Sequence, residues 1–299
     1  IERKLCTKNE IRMKYIYGIQ CHQITNPLRF LLSALCNNPD SIVLVHVDQK
    51  ADLDPFINEF SHYPQLYFIQ DRINVLWGHF SQIEATLSLL KASEAYNYSY
   101  FTLLSGDDIP LQDISLFHNY LEHHPYEFLD LDKHPACKPE PRVKYQHGKA
   151  FFKKHRSFKE QLSCKWQRKL FKLGLRTNEL DNLPKLYKGS QWFTLSHQAI
   201  GYIFKYLDNH PAYIKLFKTS LCGDELFFHT ILFNSELSDR IKAKNNMSES
   251  FIRYIDWNSG PDFPKTLDEN DFNKMKSSDM FFARKLEKDI SLEKLKKFF

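Results

Sequence analysis

The sequence predicts an α/β protein built on a mostly parallel central sheet, and three observations carry that prediction. Short β-rich runs alternate with helical ones over roughly the first hundred residues. Two of the runs, "IVLVHV" and "YFTLL", are almost continuously apolar, as fits strands covered on both faces. Both end in carboxylates, Asp48 after the first and Asp107-Asp108 after the second. In open α/β sheets ligands gather beyond the carboxyl ends of the strands.

The elements follow in order. Residues 1–12 read as a polar leader, and a single domain runs from Met13 to 299. "YIYGIQ" (15–20) and "SIVLVHVD" (41–48) are strands. Between them "PLRFLLSALCNN" has helical spacing, with Pro27 suited to a first turn and Asn37-Asn38 to a stop. The unit repeats as a strand over 65–70, a helix from Ser81 with Ser81 and Glu84 as a capping box, and a strand over 100–105. His123-His124 falls at a helix end, where imidazoles cap carbonyls more readily than they bind zinc. Further on, "GSQWFTLSHQ" reads as turn, strand and helix, and "GDELFFHTILF" as a helix with Asp224 and Glu225 in its first turn, where acidic groups complement the helix dipole.

Apolar residues make up 42% of the 299, enough for a packed core and against wholesale disorder. The six cysteines show no CxxC spacing and read as free or buried thiols. No run approaches the roughly 20 apolar residues of a membrane span, so a cytoplasmic protein is expected. The sequons at Asn97 and Asn246 carry weight only in a secreted protein. Of the net charge of +5, residues 138–176 hold a local +11 (thirteen Lys or Arg against Glu140 and Glu160), leaving about −6 elsewhere. A basic insertion on an acidic body points to an anionic partner.

Within that insertion, "SFKEQLSCKWQRKLFKLGL" sets Phe158, Leu162, Trp166 and Leu170 on one helical stripe among lysines. It reads as a surface helix packed on the body, or as an interfacial helix resting on anionic lipid. No recognisable module supports nucleic acid. A second, shorter basic helix is expected at about 290–299. Dinucleotide and P-loop fingerprints are missing, as are HExxH and a nucleophile elbow. The strand-end carboxylates therefore stay open as metal ligands, as a hydrogen-bonding shelf for a sugar or nucleotide, or as a plain turn.

Seven stretches in order resemble the core-2/I-branching N-acetylglucosaminyltransferase and xylosyltransferase family, glycosyltransferase family 14. They are "HVDQKAD" (46–52), "VLWGHFSQIEA" (75–85), "YFTLLSGDDIPL" (100–111), "GSQWFTLS" (189–196), "GDELFFHTIL" (223–232), "RYIDWNSG" (253–260) and "FFARKL" (281–286). Together they span about residues 14–287, and the resemblance is least over 138–176. It implies a GT-A type fold and inverting transfer from a UDP-sugar to a glycan hydroxyl, without a required metal. N-acetylglucosamine in β linkage is the first expectation for the sugar, and xylose the alternative. With no anchor or stem preceding the domain, a bacterial-type member acting on surface polysaccharide or a lipid-linked glycan is expected, peripheral at the inner face of the membrane through 138–176.

The resemblance also implies roles. Glu225 matches the family's catalytic base, although Gly223 stands where the family has proline, and Asp224 is a cap or acceptor contact. Lys285, with Arg284 beside it, matches the diphosphate contact, and Lys265 and Arg253 are candidates for a second. Gly106, Asp107 and Asp108 match the loop in which a retained aspartate accepts bonds from donor hydroxyls. Asp48 and Trp77 are expected at the nucleoside, and Ser190 and Trp192 at the acceptor. Two other classes compete: metal-dependent phosphoryl transfer on Asp48, Asp107 and Asp108, and a non-catalytic nucleotide-sugar- or glycan-binding protein.

Overall fold

A computed structural model describes residues 13–132, 138–153, 155–180, 183–242, 252–260 and 264–299, so the leader and the sequon at Asn246 lie outside the described residues. Strand β1 (Lys14–Cys21) leads through α1 (Asn26–Cys36) to β2 (Ser41–Val47), parallel to β1 from Tyr15↔Ser41 to Cys21↔Val47. Helix α1 begins where expected because the Thr25 hydroxyl accepts from the Leu28 N–H and Pro27 fits the first turn; Asn37 ends it. After α2 (Asp54–Phe60), β3 (Leu66–Phe68) adds a third parallel strand. It is shorter than the expected 65–70, being an edge strand with one neighbour.

Helix α3 (Ser81–Ser93) then carries the chain to β4 (Tyr98–Ser105), on the opposite side of β1 from β2. The expected Ser81–Glu84 capping box does not form. Ser81 already lies inside the helix; its hydroxyl accepts from the Leu76 N–H at 2.9 Å and its own N–H donates to His79 Nδ1 at 3.1 Å. After β5 (Ile109–Pro110), α4 (Ile114–His123) ends as read, with the Nδ1 atoms of His123 and His124 each 2.8 Å from the carbonyl four residues earlier.

The basic segment holds α5 (Glu140–Lys144), a 3-10 turn (Lys149–Phe152) and α6 (Phe158–Lys172). Ser157 and Glu160 form a capping box at the start of α6. The helix sits on the body by Cys164, Gln167 and Phe171, against Phe151. Phe158, Leu162 and Trp166 are exposed on its other side. The helix is thus packed on the body as read, and the face that binds is the one opposite that stripe.

Strand β6 (Thr194–Ser196) joins β4 antiparallel, and α7 (His197–Asn209) and α8 (Pro211–Phe217) follow. The helix expected to begin at Asp224 is two pieces, a 3-10 turn (Gly223–Glu225) and then α9 (Phe227–Phe233). A small second sheet combines β5 with β7 (Arg253–Ile255) and β8 (Phe282–Arg284), flanked by α10 (Phe272–Lys276) and α11 (Leu292–Phe298). Leu295 buries α11 in the cluster of that sheet.

The large sheet has the order β3-β2-β1-β4-β6. The chain winds outward from β1 to β3 and then returns to the far side of β1, so the winding reverses between β1 and β4. That reversal opens a crevice at the carboxyl ends of the two strands. Strand alternation divides the core: Tyr15, Tyr17 and Ile19 pack toward α1 and α4, and Ile16 toward α3, α7 and α9. Gly18 lies under the Phe101 ring, and a Cβ built there stands 2.2 Å from Phe101 Cζ. Gly18→Ala is expected to cost about 1–3 kcal/mol in urea unfolding, with part of the loss recovered in Gly18→Ala/Phe101→Leu. An unchanged midpoint for the single variant contradicts this packing.

Candidate active site

At the crevice, Asp48 and the Ser105–Asp108 loop flank the end of β1. The Asp48 N–H donates to the Cys21 carbonyl at 2.8 Å, and the Gly106 N–H to the Gln20 carbonyl at 2.9 Å. Gly106 is needed for this approach, because an added Cβ lies 2.9 Å from Cys21 Cβ. The two strand-end carboxylates are thus at equivalent positions, as their places in the sequence imply. They do not form a metal-binding trio with Asp108. Among the described residues no group of three His, Cys, Asp or Glu side chains is placed to hold an ion.

Asp108 departs from its expected place against donor hydroxyls. It is fully buried, and its oxygens accept from the Ser105 hydroxyl at 2.6 Å and the Ser105 N–H at 3.1 Å. Asp108 Oδ1 also lies 3.9 Å from Arg284 Nε. With both oxygens engaged, this carboxylate ties the loop to β8 rather than facing outward. Asp107 is only partly buried; burial raises its carboxyl, the neighbouring Asp108 adds to that, and Arg284, Lys288 and His22 oppose it.

Arg284 is the centre of the positive charge. Its guanidinium lies over the Trp192 ring at 4.1 Å from the centroid. Nη1 is buried without a hydrogen-bond partner among the described residues. Burial pulls its pKa down, while Asp108 and Asp107 counteract. Lys285 follows it, and its ammonium has no ion pair among the described residues. The two candidates for a second phosphate contact hold partners within the protein, although Arg253 Nε is buried without one among the described residues. Arg253 is buried and donates to the carbonyls of Leu103 and Phe193 at 2.8 and 3.3 Å. Lys265 is held by both oxygens of Asp271 at 2.7 and 2.8 Å.

The loop 188–192 joins this charge to a second group. The Gly189 N–H donates to the Glu225 carbonyl at 2.9 Å, and the Ser190 N–H to Asp130 Oδ1 at 2.6 Å. Glu225 is partly exposed, and its Oε2 takes Arg142 Nη1 at 2.6 Å and Lys188 Nζ at 3.4 Å. Both cations meet the same oxygen, which fixes the carboxylate and leaves Oε1 without a hydrogen-bond partner among the described residues. Burial draws Lys188 down, but its bond to Asp132 and the charge of Glu225 outweigh that and hold it above its ordinary value.

Asp224 next door is the opposite case. It is buried, Oδ1 has no partner among the described residues, and burial followed by the charge of Glu225 pushes its carboxyl up to about 7. The preceding Cys222 has φ 51°, a left-handed conformation uncommon outside glycine, and its N–H donates to the Gly78 carbonyl at 2.7 Å. Through that bond the "LWGH" loop reaches this turn. Trp77 itself is 66% exposed, next to the Gly78 that meets this turn.

Sequence reasoning missed several participants. Arg142 lies in the segment of least resemblance, and its approach to Glu225 depends on the tertiary path of α5. A glutamine relay also went unread: Gln191 Nε2 donates to Gln20 Oε1 at 3.0 Å, and Gln82 Nε2 to Gln191 Oε1 at 3.2 Å. The only signal for Gln191 was its place inside "GSQWF".

A carboxyl at about 7 in the folded chain, against 3.8 ordinarily, binds more protons folded than unfolded between those values. Its contribution to stability is complete below about pH 4 and is lost as pH rises through 7. Asp224→Asn should flatten that part of the stability profile and raise stability at pH 8 by on the order of 1–3 kcal/mol. An unaltered profile by denaturant titration contradicts the burial of this charge.

The comparisons with known proteins accord with this geometry. The family model described as "Core-2/I-Branching enzyme" matches residues 17–280. The chain is 22% identical to xylosyltransferase oxt of Drosophila melanogaster over 279 residues, 85% of this chain and 29% of that protein. It is 31% identical to the β-glucuronosyltransferase GlcAT14B of Arabidopsis thaliana over 107 residues, 35% of this chain and 24% of that protein. The chain spans about a third or less of the length of these curated relatives. Among solved structures, mouse xyloside xylosyltransferase 1 in its apo form aligns over 74% of this chain and 82% of its own, with a TM-score of 0.35 and 8% identity, too loose a match to bear on the site. With a family model matching residues 17–280, the chain belongs to the Core-2/I-Branching enzyme family.

Proposed function

We propose that the chain is an inverting glycosyltransferase that moves a sugar from a UDP-sugar to a glycan hydroxyl. The observation that carries this is the loop 188–192. It links a partly exposed, oriented carboxylate at one end to a buried, incompletely partnered guanidinium at the other. Displacement at an anomeric carbon needs that pair of groups. A carboxylate takes the proton of the attacking hydroxyl, and positive charge meets the diphosphate that departs from the opposite face.

In this reading Glu225 is the base, with Oε1 receiving the acceptor proton while Arg142 and Lys188 hold Oε2. The hydroxyl oxygen forms the new bond to the anomeric carbon as the bond to UDP breaks. Arg284 and Lys285 receive the diphosphate charge, so no divalent metal is required. Trp192 braces Arg284 with one face, and Ser190 and Trp192 border the acceptor. Asp107 lines the donor side, and Asp108 serves it indirectly by holding Arg284. Arg253 and Lys265 act as supports, Arg253 on the carbonyls of Leu103 and Phe193 and Lys265 on Asp271.

N-acetylglucosamine in β linkage is the donor sugar we assign first. Xylose is the alternative, favoured by the relatives named xylosyltransferase. The acceptor is a glycan, with bacterial surface polysaccharide or a lipid-linked saccharide as the proposed class. No described helix is long and apolar enough to cross a membrane. Peripheral contact at the cytoplasmic face is the proposed way of meeting a lipid-linked acceptor.

The test is UDP release from a panel of UDP-sugars, with and without EDTA. One donor should be hydrolysed despite EDTA, and Glu225→Gln should slow that reaction by roughly 10²–10⁴-fold. Loss of activity in EDTA restores a metal mechanism, and donor binding with no UDP release in any condition favours the non-catalytic reading.

A further inference from the structure

Helix α6 presents an apolar face that the body does not cover. Phe158 is 81% exposed, Leu162 58% and Trp166 59%, and just beyond the helix Leu173 is 72% exposed. Five of the thirteen large exposed hydrophobic side chains among the described residues fall between 158 and 175, so this is a cluster rather than the usual scatter. Phe158, Leu162 and Trp166 recur at four-residue steps, which places them on one side of the helix. Cys164, Gln167 and Phe171 hold the other side to Phe151, and Gln167 Oε1 accepts from the Gly148 N–H at 3.0 Å.

The exposed apolar stripe is bordered by Lys159, Lys165, Lys169 and Lys172, all exposed. Arg168 is excluded from that count because its guanidinium is turned onto the Phe151 ring. Two copies of this face meeting each other would bring eight ammonium groups together, which opposes self-association. Apolar side chains flanked by lysines instead match a surface with negative headgroups above a hydrocarbon layer. The helix has three properties of an interfacial helix: an apolar stripe with an aromatic residue, a cationic border, and anchorage to a folded domain on its reverse side.

We propose that α6 is a membrane-docking helix, inserting Phe158, Leu162 and Trp166 among the acyl chains of an anionic bilayer while the flanking lysines meet the headgroups. The contact is more specific than the peripheral association proposed above and rests on the transferase reading only for its purpose. That purpose follows from how α6 is joined to Glu225. Tyr145 stacks on Phe171 at 4.6 Å, and Leu221 packs on the same cluster, two residues before the turn that bears Glu225. From the same segment Arg142 bonds the Glu225 carboxylate. A bilayer bound by α6 is thereby held at a fixed distance from the base, as a lipid-linked acceptor needs.

The experiment is co-sedimentation of the whole chain with vesicles of phosphatidylcholine alone or mixed with phosphatidylglycerol, together with quenching by lipids brominated in their acyl chains. Binding should require phosphatidylglycerol and fall roughly tenfold or more in Phe158→Ser/Leu162→Ser/Trp166→Ser. Quenching should disappear in Trp166→Phe, which isolates this indole from the other three. Lys165→Glu/Lys169→Glu should weaken binding and reduce its salt dependence. Circular dichroism and UDP release in the absence of vesicles should be unchanged in every variant, which separates this proposal from the transferase reading. Absence of binding, binding untouched by the triple variant, or a triple variant that instead abolishes a dimer overturns it.

Discussion

The guanidinium of Arg284 is the contact on which the site depends. It lies between the Trp192 ring and the Asp108 carboxylate, so one residue of the small sheet is gripped by two loops of the large one. Bringing a cation into that buried position is costly, and only a neighbouring carboxylate and an aromatic face make it tolerable. Asp108 meets the first need and gives up its own access to solvent to do so. The opening of "SGDDIP" into two adjacent aspartates then has a physical account: the inner one holds the cation, and the outer one lines the crevice.

The same division of labour governs the second carboxylate pair. Asp224 is buried, raised toward neutrality and lacks a partner on one oxygen, whereas Glu225 is partly exposed and tied to two cations. Adjacent acids in such different surroundings can serve different chemical tasks. The turn that presents them is set by the left-handed Cys222 and bolted to the "LWGH" loop through Gly78, so the base is held by elements from three parts of the chain. The insertion is the third, because Arg142 comes from it.

The parallel sheet and its strand-end carboxylates were legible in the sequence because both depend on local pattern. "IVLVHV" and "YFTLL" can be little other than covered strands, and the charge that follows each must lie at the open edge. The family motifs named loops and residue types. What they did not convey was the direction of each side chain. Arg253 and Lys265 are basic residues in suitable stretches, yet Arg253 donates to two main-chain carbonyls and Lys265 to Asp271. The stripe on α6 has a regular apolar period, and period alone does not tell which face meets the body. There Cys164, Gln167 and Phe171 prevailed because Phe151, Tyr145 and Leu221 form a receiving surface that no local pattern reveals.

The central claim is that Arg284, positioned by Asp108 and Trp192, is a diphosphate-binding cation. Calorimetric titration of UDP into the chain in the presence of EDTA tests it most directly. Saturable binding that is lost in Arg284→Ala, with the variant still folded, is the predicted result. UDP binding of equal affinity in Arg284→Ala would contradict the account, since the diphosphate would then be held by something other than this clamp.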